Sequence, residues 1–127
     1  TYGGNPLACA AGLATLDLFE SQQTLNNVLE QGNRLRELLA PLKEHPRVGD
    51  VRRCGLIAAV EVVADRRLKQ PFPWAERKGQ AVCNRALERG VWLRPLGNVI
   101  VIMPPLCIQA DELEVLVEAV RYGLEAV

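Results

Sequence analysis

One arginine in this sequence stands where its charge needs a partner. Arg94 interrupts the run Gly90-Val91-Trp92-Leu93-Arg94-Pro95-Leu96-Gly97-Asn98-Val99-Ile100-Val101-Ile102-Met103-Pro104-Pro105. The β-branched and apolar residues at 91–93 and 99–103 predict two short strands, and Pro95, Gly97 and Asn98 predict a tight turn between them. A guanidinium in so apolar a hairpin is costly unless it is paired. Its planar fork of donors fits a carboxylate. Two partners suit it: a structural acid such as Glu61, which interrupts an apolar stretch, or the carboxylate of a small molecule. Strand alternation sets Trp92 and Arg94 on one face and Val91 and Leu93 on the other, with Gly97 and Asn98 shaping the turn that presents them.

A second set of residues opens the chain. Thr1 lies just ahead of Gly3-Gly4-Asn5-Pro6, a helix entry in which Asn is a preferred N-cap and Pro suits the first helical position. A hydroxyl there can join free backbone N–H groups to hold an anion, or it can be an unengaged terminal residue. The other chemistry-bearing types offer less. The three lysines, Lys43, Lys69 and Lys78, fall at a helix end, in a charged loop and on a polar helix face, so none has the buried setting that makes an amine nucleophilic. Cys9, Cys54, Cys83 and Cys107 show no C-x-x-C spacing, and with His45 as the one histidine they make a poor metal set. They read as buried, reduced thiols of a cytoplasmic protein. His45 reads as a solvated turn residue, and Arg52, Arg53, Arg66 and Arg67 as solvated cations.

Hydrophobic periodicity supplies the elements that must position these residues. Leu7, Ala10, Ala11, Ala14 and Leu18 share one face of a first helix whose alanines suit close packing. After a polar break at 21–24, a second helix carries Leu25, Val28, Leu29, Leu35, Leu39 and Leu42 and stops near Pro46. Residues 48–53 and 56–63 read as strands around Gly55, the second almost wholly apolar, as a central strand covered on both faces would be. Residues 64–73 read as a surface loop, 74–89 as a helix ending at Gly90, and a last helix starts at Asp111 and Glu112, whose charge suits its N-terminus. The order α-α-β-β-α-β-β-α predicts a two-layer α/β (α+β) sandwich, a small, mainly antiparallel sheet packed by helices, in a single domain over 1–127.

Composition narrows the partners. The chain has 127 residues, 15 basic against 15 acidic, so no net field draws it to nucleic acid or an anionic membrane. No apolar run approaches the roughly 18 residues of a membrane span, and the sequence shows no signal peptide. It also starts without an initiator methionine and enters a helix at once, as a piece of a longer protein would.

The opening Thr1-Tyr2-Gly3-Gly4-Asn5-Pro6-Leu7-Ala8-Cys9-Ala10-Ala11 resembles the T-x-x-G-N-P-L-A-x-A-A segment of class III (fold type I) pyridoxal-phosphate-dependent aminotransferases. The likeness runs to the C-terminus. The 90–105 run is similar to that of a subgroup serving biotin synthesis, although ω-amino-acid, ornithine and 4-aminobutyrate transaminases carry related hairpins. The resemblance implies the C-terminal small domain of such an enzyme, with residues 1–20 leading in from a large domain. It implies pyridoxal 5'-phosphate as cofactor, not covalently bound by this chain, and a homodimer. Thr1 would then bind the cofactor phosphate of the neighbouring subunit, and Arg94 the carboxylate of a small-molecule substrate. The amino group would pass from S-adenosylmethionine to the ketone of 8-amino-7-oxononanoate. No catalytic residue is expected here, since the family's Schiff-base lysine and the aspartate on the pyridine nitrogen match no position of this sequence. A free-standing, non-catalytic module that binds a partner through its Ala-rich first helix is the reading outside enzymology.

Overall fold

The computed structural model describes residues 3–127. Helix α1 (Pro6–Ser21) starts where the Asn-Pro pair predicts: Asn5 Oδ1 accepts from the N–H groups of Leu7 and Ala8 at 3.0 and 3.3 Å. Its expected inward face is exposed instead. No α1 residue is buried, and Leu7, Leu13, Leu16 and Leu18 face outward. Periodicity names the face of a helix that wants cover. It does not supply the cover.

Helix α2 (Thr24–Leu39) shows the same limit within one element. Leu35 and Leu39 are fully buried, whereas Leu25 and Leu29 are exposed, because burial begins only at Gln31. At Pro41, which has no N–H to continue an α-helix, the chain tightens into a 3₁₀ turn, Ala40–Glu44, that buries Leu42. His45 caps this turn. It is half-buried rather than solvated, its Nδ1 accepts from the Arg47 N–H at 3.2 Å, and burial first, then the Arg47 charge, lowers its pKa.

Strands β1 (Val48–Cys54) and β2 (Ile57–Asp65) pair antiparallel around the Gly55 turn. The expected loop at 64–73 is partly sheet. β2 runs on to Asp65, and a two-residue strand β3 (Gln70–Pro71) pairs back on it. Pro71 is tolerated there because an edge strand does not need every N–H. One 3₁₀ turn at Trp74–Glu76 precedes helix α3 (Lys78–Leu87), broken from it by Arg77 at φ +46°. Gly90, at φ +78°, ends the helical segment as expected.

The first strand of the hairpin is displaced from its expected place. Strand β4 is Arg94–Leu96, not 91–93, and pairs with β5 (Val99–Ile102) across a two-residue Gly97-Asn98 turn. Apolar character at 91–93 tracks burial of Leu93 under the helices, not ladder pairing. Helix α4 (Ala110–Gly123) closes the fold, and Glu112 Oε2 accepts from the Gln109 N–H at 2.9 Å in half of a capping box.

The sheet order is β1-β2-β5-β4, with every pairing antiparallel and β3 on the far end of β2. One face is packed: Ala58, Val60, Val62, Ile100 and Ile102 meet Leu35, Leu39, Val82, Leu113, Val120 and Leu124 in one core. This is the expected two-layer α/β sandwich.

Of the four cysteines only Cys83 is buried; Cys9, Cys54 and Cys107 are exposed. Burial pushes the Cys83 thiol up to about 11 from 9.0. Between those pH values the unfolded chain releases a proton that the native state keeps, so this group's contribution to stability falls as pH rises through that window. At pH 8 a thiol reagent should therefore modify Cys9, Cys54 and Cys107 rapidly and Cys83 only on unfolding. Rapid native-state labelling of Cys83 would contradict its packing.

Candidate substrate-binding face

The second face of the sheet has no helix over it among the described residues. The strand register puts Arg52, Ala59, Val101 and Arg94 in one row across β1, β2, β5 and β4. Asp50, Glu61, Val99 and Leu96 form the adjacent row. The row between them, Val51, Val60, Ile100 and Pro95, points the other way into the core. The open face thus has a half-buried aliphatic floor of Ala59, Val99 and Val101 with an arginine at each side. Three interstrand spacings separate those arginines, about 14 Å.

The two cations differ in what they hold. Arg52 Nη1 donates to Asp50 Oδ2 at 3.0 Å and to Glu61 Oε2 at 3.2 Å, and those bonds, to Asp50 first, raise its pKa further. Glu61 is therefore engaged by Arg52, not by Arg94. The structural partner that the sequence offered for Arg94 belongs to another strand's arginine. Arg94 is exposed, and its side chain makes no hydrogen bond or ion pair to any described residue. Its guanidinium carbon lies 5.5 Å from the ring centroid of Trp92, which stands ahead of β4 and outside the ladder. A cationic fork beside an aromatic plane and an aliphatic floor can bind the carboxylate end of an amphiphilic molecule.

The hairpin tip is fixed more firmly than its turn residues imply. Asn98 Nδ2 donates to the Phe72 carbonyl at 2.8 Å, and the Asn98 carbonyl accepts from the Val62 N–H at 2.8 Å. Gly97, at φ +61°, fills the first turn position, where a two-residue hairpin favours glycine. Gly97 is flanked by the indole of Trp74 and by Gly79 of α3: a Cβ on Gly97 would meet Trp74 Cζ3 at 2.8 Å, and one on Gly79 would meet the Gly97 carbonyl oxygen at 2.1 Å. Trp74, Arg77, Gln80, Pro95, Gly97 and Asn98 line a cavity of about 220 Å³ on the helical side of the tip. Trp74 and Gly79 carried no sequence signal for this role, because neither is near the hairpin in the chain.

Thr1 lies outside the described residues, so its expected phosphate contact has no geometry here. The helix entry behind it is described. Pro6 has no N–H, and Asn5 takes those of Leu7 and Ala8. The first turn of α1 therefore offers an anion no free N–H group, since that of Cys9 bonds the Asn5 carbonyl. Lys43 and Lys69 are exposed, and Lys78 is half-buried at 3.8 Å from Glu76 Oε2 and 5.6 Å from the Phe72 ring centroid. None has the buried, apolar setting that makes an amine nucleophilic; Lys43 borders a recess shared with Asp50 and Arg66. These residues do not make a pyridoxal-phosphate site by themselves. Among the described residues no cluster of His, Cys, Asp or Glu could hold a metal, and no helix is long and apolar enough to cross a membrane.

The domain is thus a small antiparallel sheet with helices on one face, a bare second face and an unengaged arginine on its edge hairpin. Residues 1–123 match the class-III aminotransferase family, and the chain belongs to it. It is 53% identical over 127 residues to the adenosylmethionine-8-amino-7-oxononanoate aminotransferase of Geobacter sulfurreducens, covering all of this chain and 28% of that protein. The crystal structure of the enzyme of that name from Methanocaldococcus jannaschii superposes with a TM-score of 0.94 at 38% identity, over 98% of this chain and 28% of that one. An amine transaminase from an uncultivated Pseudomonas species, solved in its PLP-bound form, gives 0.92 at 39% identity, again over 98% of this chain and 28% of the other. The chain thus spans just over a quarter of the length of these relatives.

Proposed function

We propose that the protein containing this chain transfers an amino group from S-adenosylmethionine to 8-amino-7-oxononanoate in biotin synthesis, and that Arg94 binds the carboxylate of the acceptor. The observation that carries the second part is the unengaged Arg94 guanidinium, with Glu61 committed to Arg52. The first part is supported by the 53% identity to a relative of that name over the whole chain. Pyridoxal phosphate supplies the aldehyde that carries the amino group between the two substrates. The residues described here bind and orient: Arg94 sets the acceptor's charged end at the hairpin, and Ala59, Val99 and Val101 offer its methylene chain an apolar floor. Thr1 would complete the phosphate site of the neighbouring subunit in a homodimer, in which residues 1–20 lead in from a large domain and 1–127 form the C-terminal domain. We place the enzyme in the cytoplasm, in line with four free thiols.

Assays of the full-length protein with S-adenosylmethionine and a panel of keto acceptors test this reading. Turnover should be fastest with 8-amino-7-oxononanoate. A preference for the keto acids of ornithine or 4-aminobutyrate transamination would move the protein elsewhere in the family. Chain 1–127 alone, supplied with pyridoxal phosphate and both substrates, should show no cofactor-dependent turnover, because no lysine in it has a site to react from. Measurable turnover would overturn that assignment.

A further inference from the structure

We infer that Trp92 is a positioning residue for Arg94, its indole face holding the guanidinium in the orientation in which two N–H groups meet the acceptor carboxylate. The inference rests on the reading of Arg94 as the carboxylate site. Trp92 is 74% exposed, so it is not there to fill this chain's core. A large apolar ring left in water is informative when it lies beside a functional charge. The Arg94 guanidinium carbon sits 5.5 Å from that ring's centroid, within cation–π range. Arginine has many rotamers, and an exposed one with no acid partner loses that freedom only when it binds. Stacking on an aromatic plane removes part of the freedom beforehand and leaves the guanidinium edge, where the paired N–H groups lie, open to a carboxylate.

The sheet supports the arrangement from below. Arg94 pairs with Val101, whose half-buried side chain fills the neighbouring strand on the same face. Leu96, two residues on, is 72% exposed and carries no charge. Asp50 and Glu61 are both turned to Arg52 on the far side of the sheet. Trp92 is therefore the contact that limits where the Arg94 head group points, while Val101 limits its stem.

The test uses the full-length protein loaded with pyridoxal phosphate, with variants Trp92→Ala, Trp92→Phe, Arg94→Ala and the double variant Trp92→Ala/Arg94→Ala. Steady-state kinetics give kcat and KM for the keto acceptor. Calorimetry gives Kd for nonanoate, a nine-carbon carboxylate with neither ketone nor amine. Trp92→Ala should raise both KM and the nonanoate Kd about 3–10-fold, with kcat and melting temperature nearly unchanged. Trp92→Phe, which keeps an aromatic face, should stay within about 3-fold. On the Arg94→Ala background, Trp92→Ala should change Kd less than about 2-fold, since nothing remains to position. The inference is overturned if Trp92→Ala leaves KM and Kd unchanged, if it acts equally with and without Arg94, or if it lowers kcat and melting temperature together. An Arg94→Ala protein with unaltered KM and Kd would instead remove the carboxylate reading of Arg94, a result distinct from failure of the Trp92 arm alone.

Discussion

An Arg94→Lys substitution in the full-length, cofactor-loaded protein raises KM for a carboxylate-bearing keto acceptor about 10-fold or more and leaves kcat at saturation close to its original value. The expectation follows from geometry. Arg94 is exposed and bonded to no described acid, so its donors remain free for a ligand. An ammonium keeps the charge but cannot present two parallel N–H groups to a planar carboxylate. A tenfold loss is about 1.4 kcal/mol, the scale of one charge-assisted hydrogen bond. In the proposed acceptor, 8-amino-7-oxononanoate, the carboxylate would lie far from the ketone, so its binding would be shared by ground and transition states. Losing it moves KM rather than kcat. Arg52→Lys is the matched control, because Asp50 and Glu61 already occupy that side chain. It should alter KM less than about 2-fold. If Arg94→Lys does no more than Arg52→Lys, Arg94 has only a structural part.

Gly79→Ala destabilises the protein by about 2 kcal/mol or more, although alanine is ordinarily the better helix residue by about 1 kcal/mol. Gly79 lies in the first turn of α3, and its missing Cβ leaves the space that the Gly97 carbonyl occupies. An added methyl carbon would stand 2.1 Å from that oxygen, 3.1 Å from Pro95 Cβ and 3.2 Å from the Gly97 carbonyl carbon. The oxygen and carbon belong to backbone, and Pro95 is a ring, so no flexible side chain can move aside. Either α3 or the hairpin tip must shift. The tip is also held by Asn98 through Phe72 and Val62, so the strain cannot be relieved locally. Gly12→Ala in α1 is the contrasting variant, since nothing lies within 4 Å of its added Cβ. It should stabilise by up to about 1 kcal/mol through helix propensity alone. Urea unfolding of both variants against the parent protein measures the difference. A Gly79→Ala protein as stable as Gly12→Ala would show that α3 and the hairpin do not touch as described.

Much of the fold was written locally. Asn5-Pro6 starts α1 by a mechanism that needs only three residues of sequence, and Gly90 ends a helix for reasons equally local. The apolar stretch at 56–63 is a central strand, as expected, but only one of its faces is covered among the described residues, so its apolar run overstated its cover. The errors share a cause. The displaced strand at 91–93, the missed pairing of Pro71 and the uncovered faces of α1 and early α2 all concern what lies opposite a segment. Hydrophobic patterning reports that a side chain avoids water, and several different neighbours satisfy that demand equally.

The candidate site divides in the same way. Its residue types were legible: an arginine between turn formers, with a tryptophan two positions earlier. Its partners were not. Glu61 is equally plausible in sequence as a mate for Arg94 or for Arg52, because the cross-strand register decides which one it reaches. The sequence alone determined an α/β sandwich and an arginine in an apolar hairpin whose charge called for a carboxylate, structural or bound. Tertiary structure decided that Arg94, unlike Arg52 on the same face, is unengaged among the described residues, that Trp92 flanks it and that Gly79 and Trp74 pin its hairpin from elsewhere in the chain. The reason is physical: propensity and periodicity act within a few residues, whereas a charge is free or bound according to what the whole fold places within about 4 Å of it.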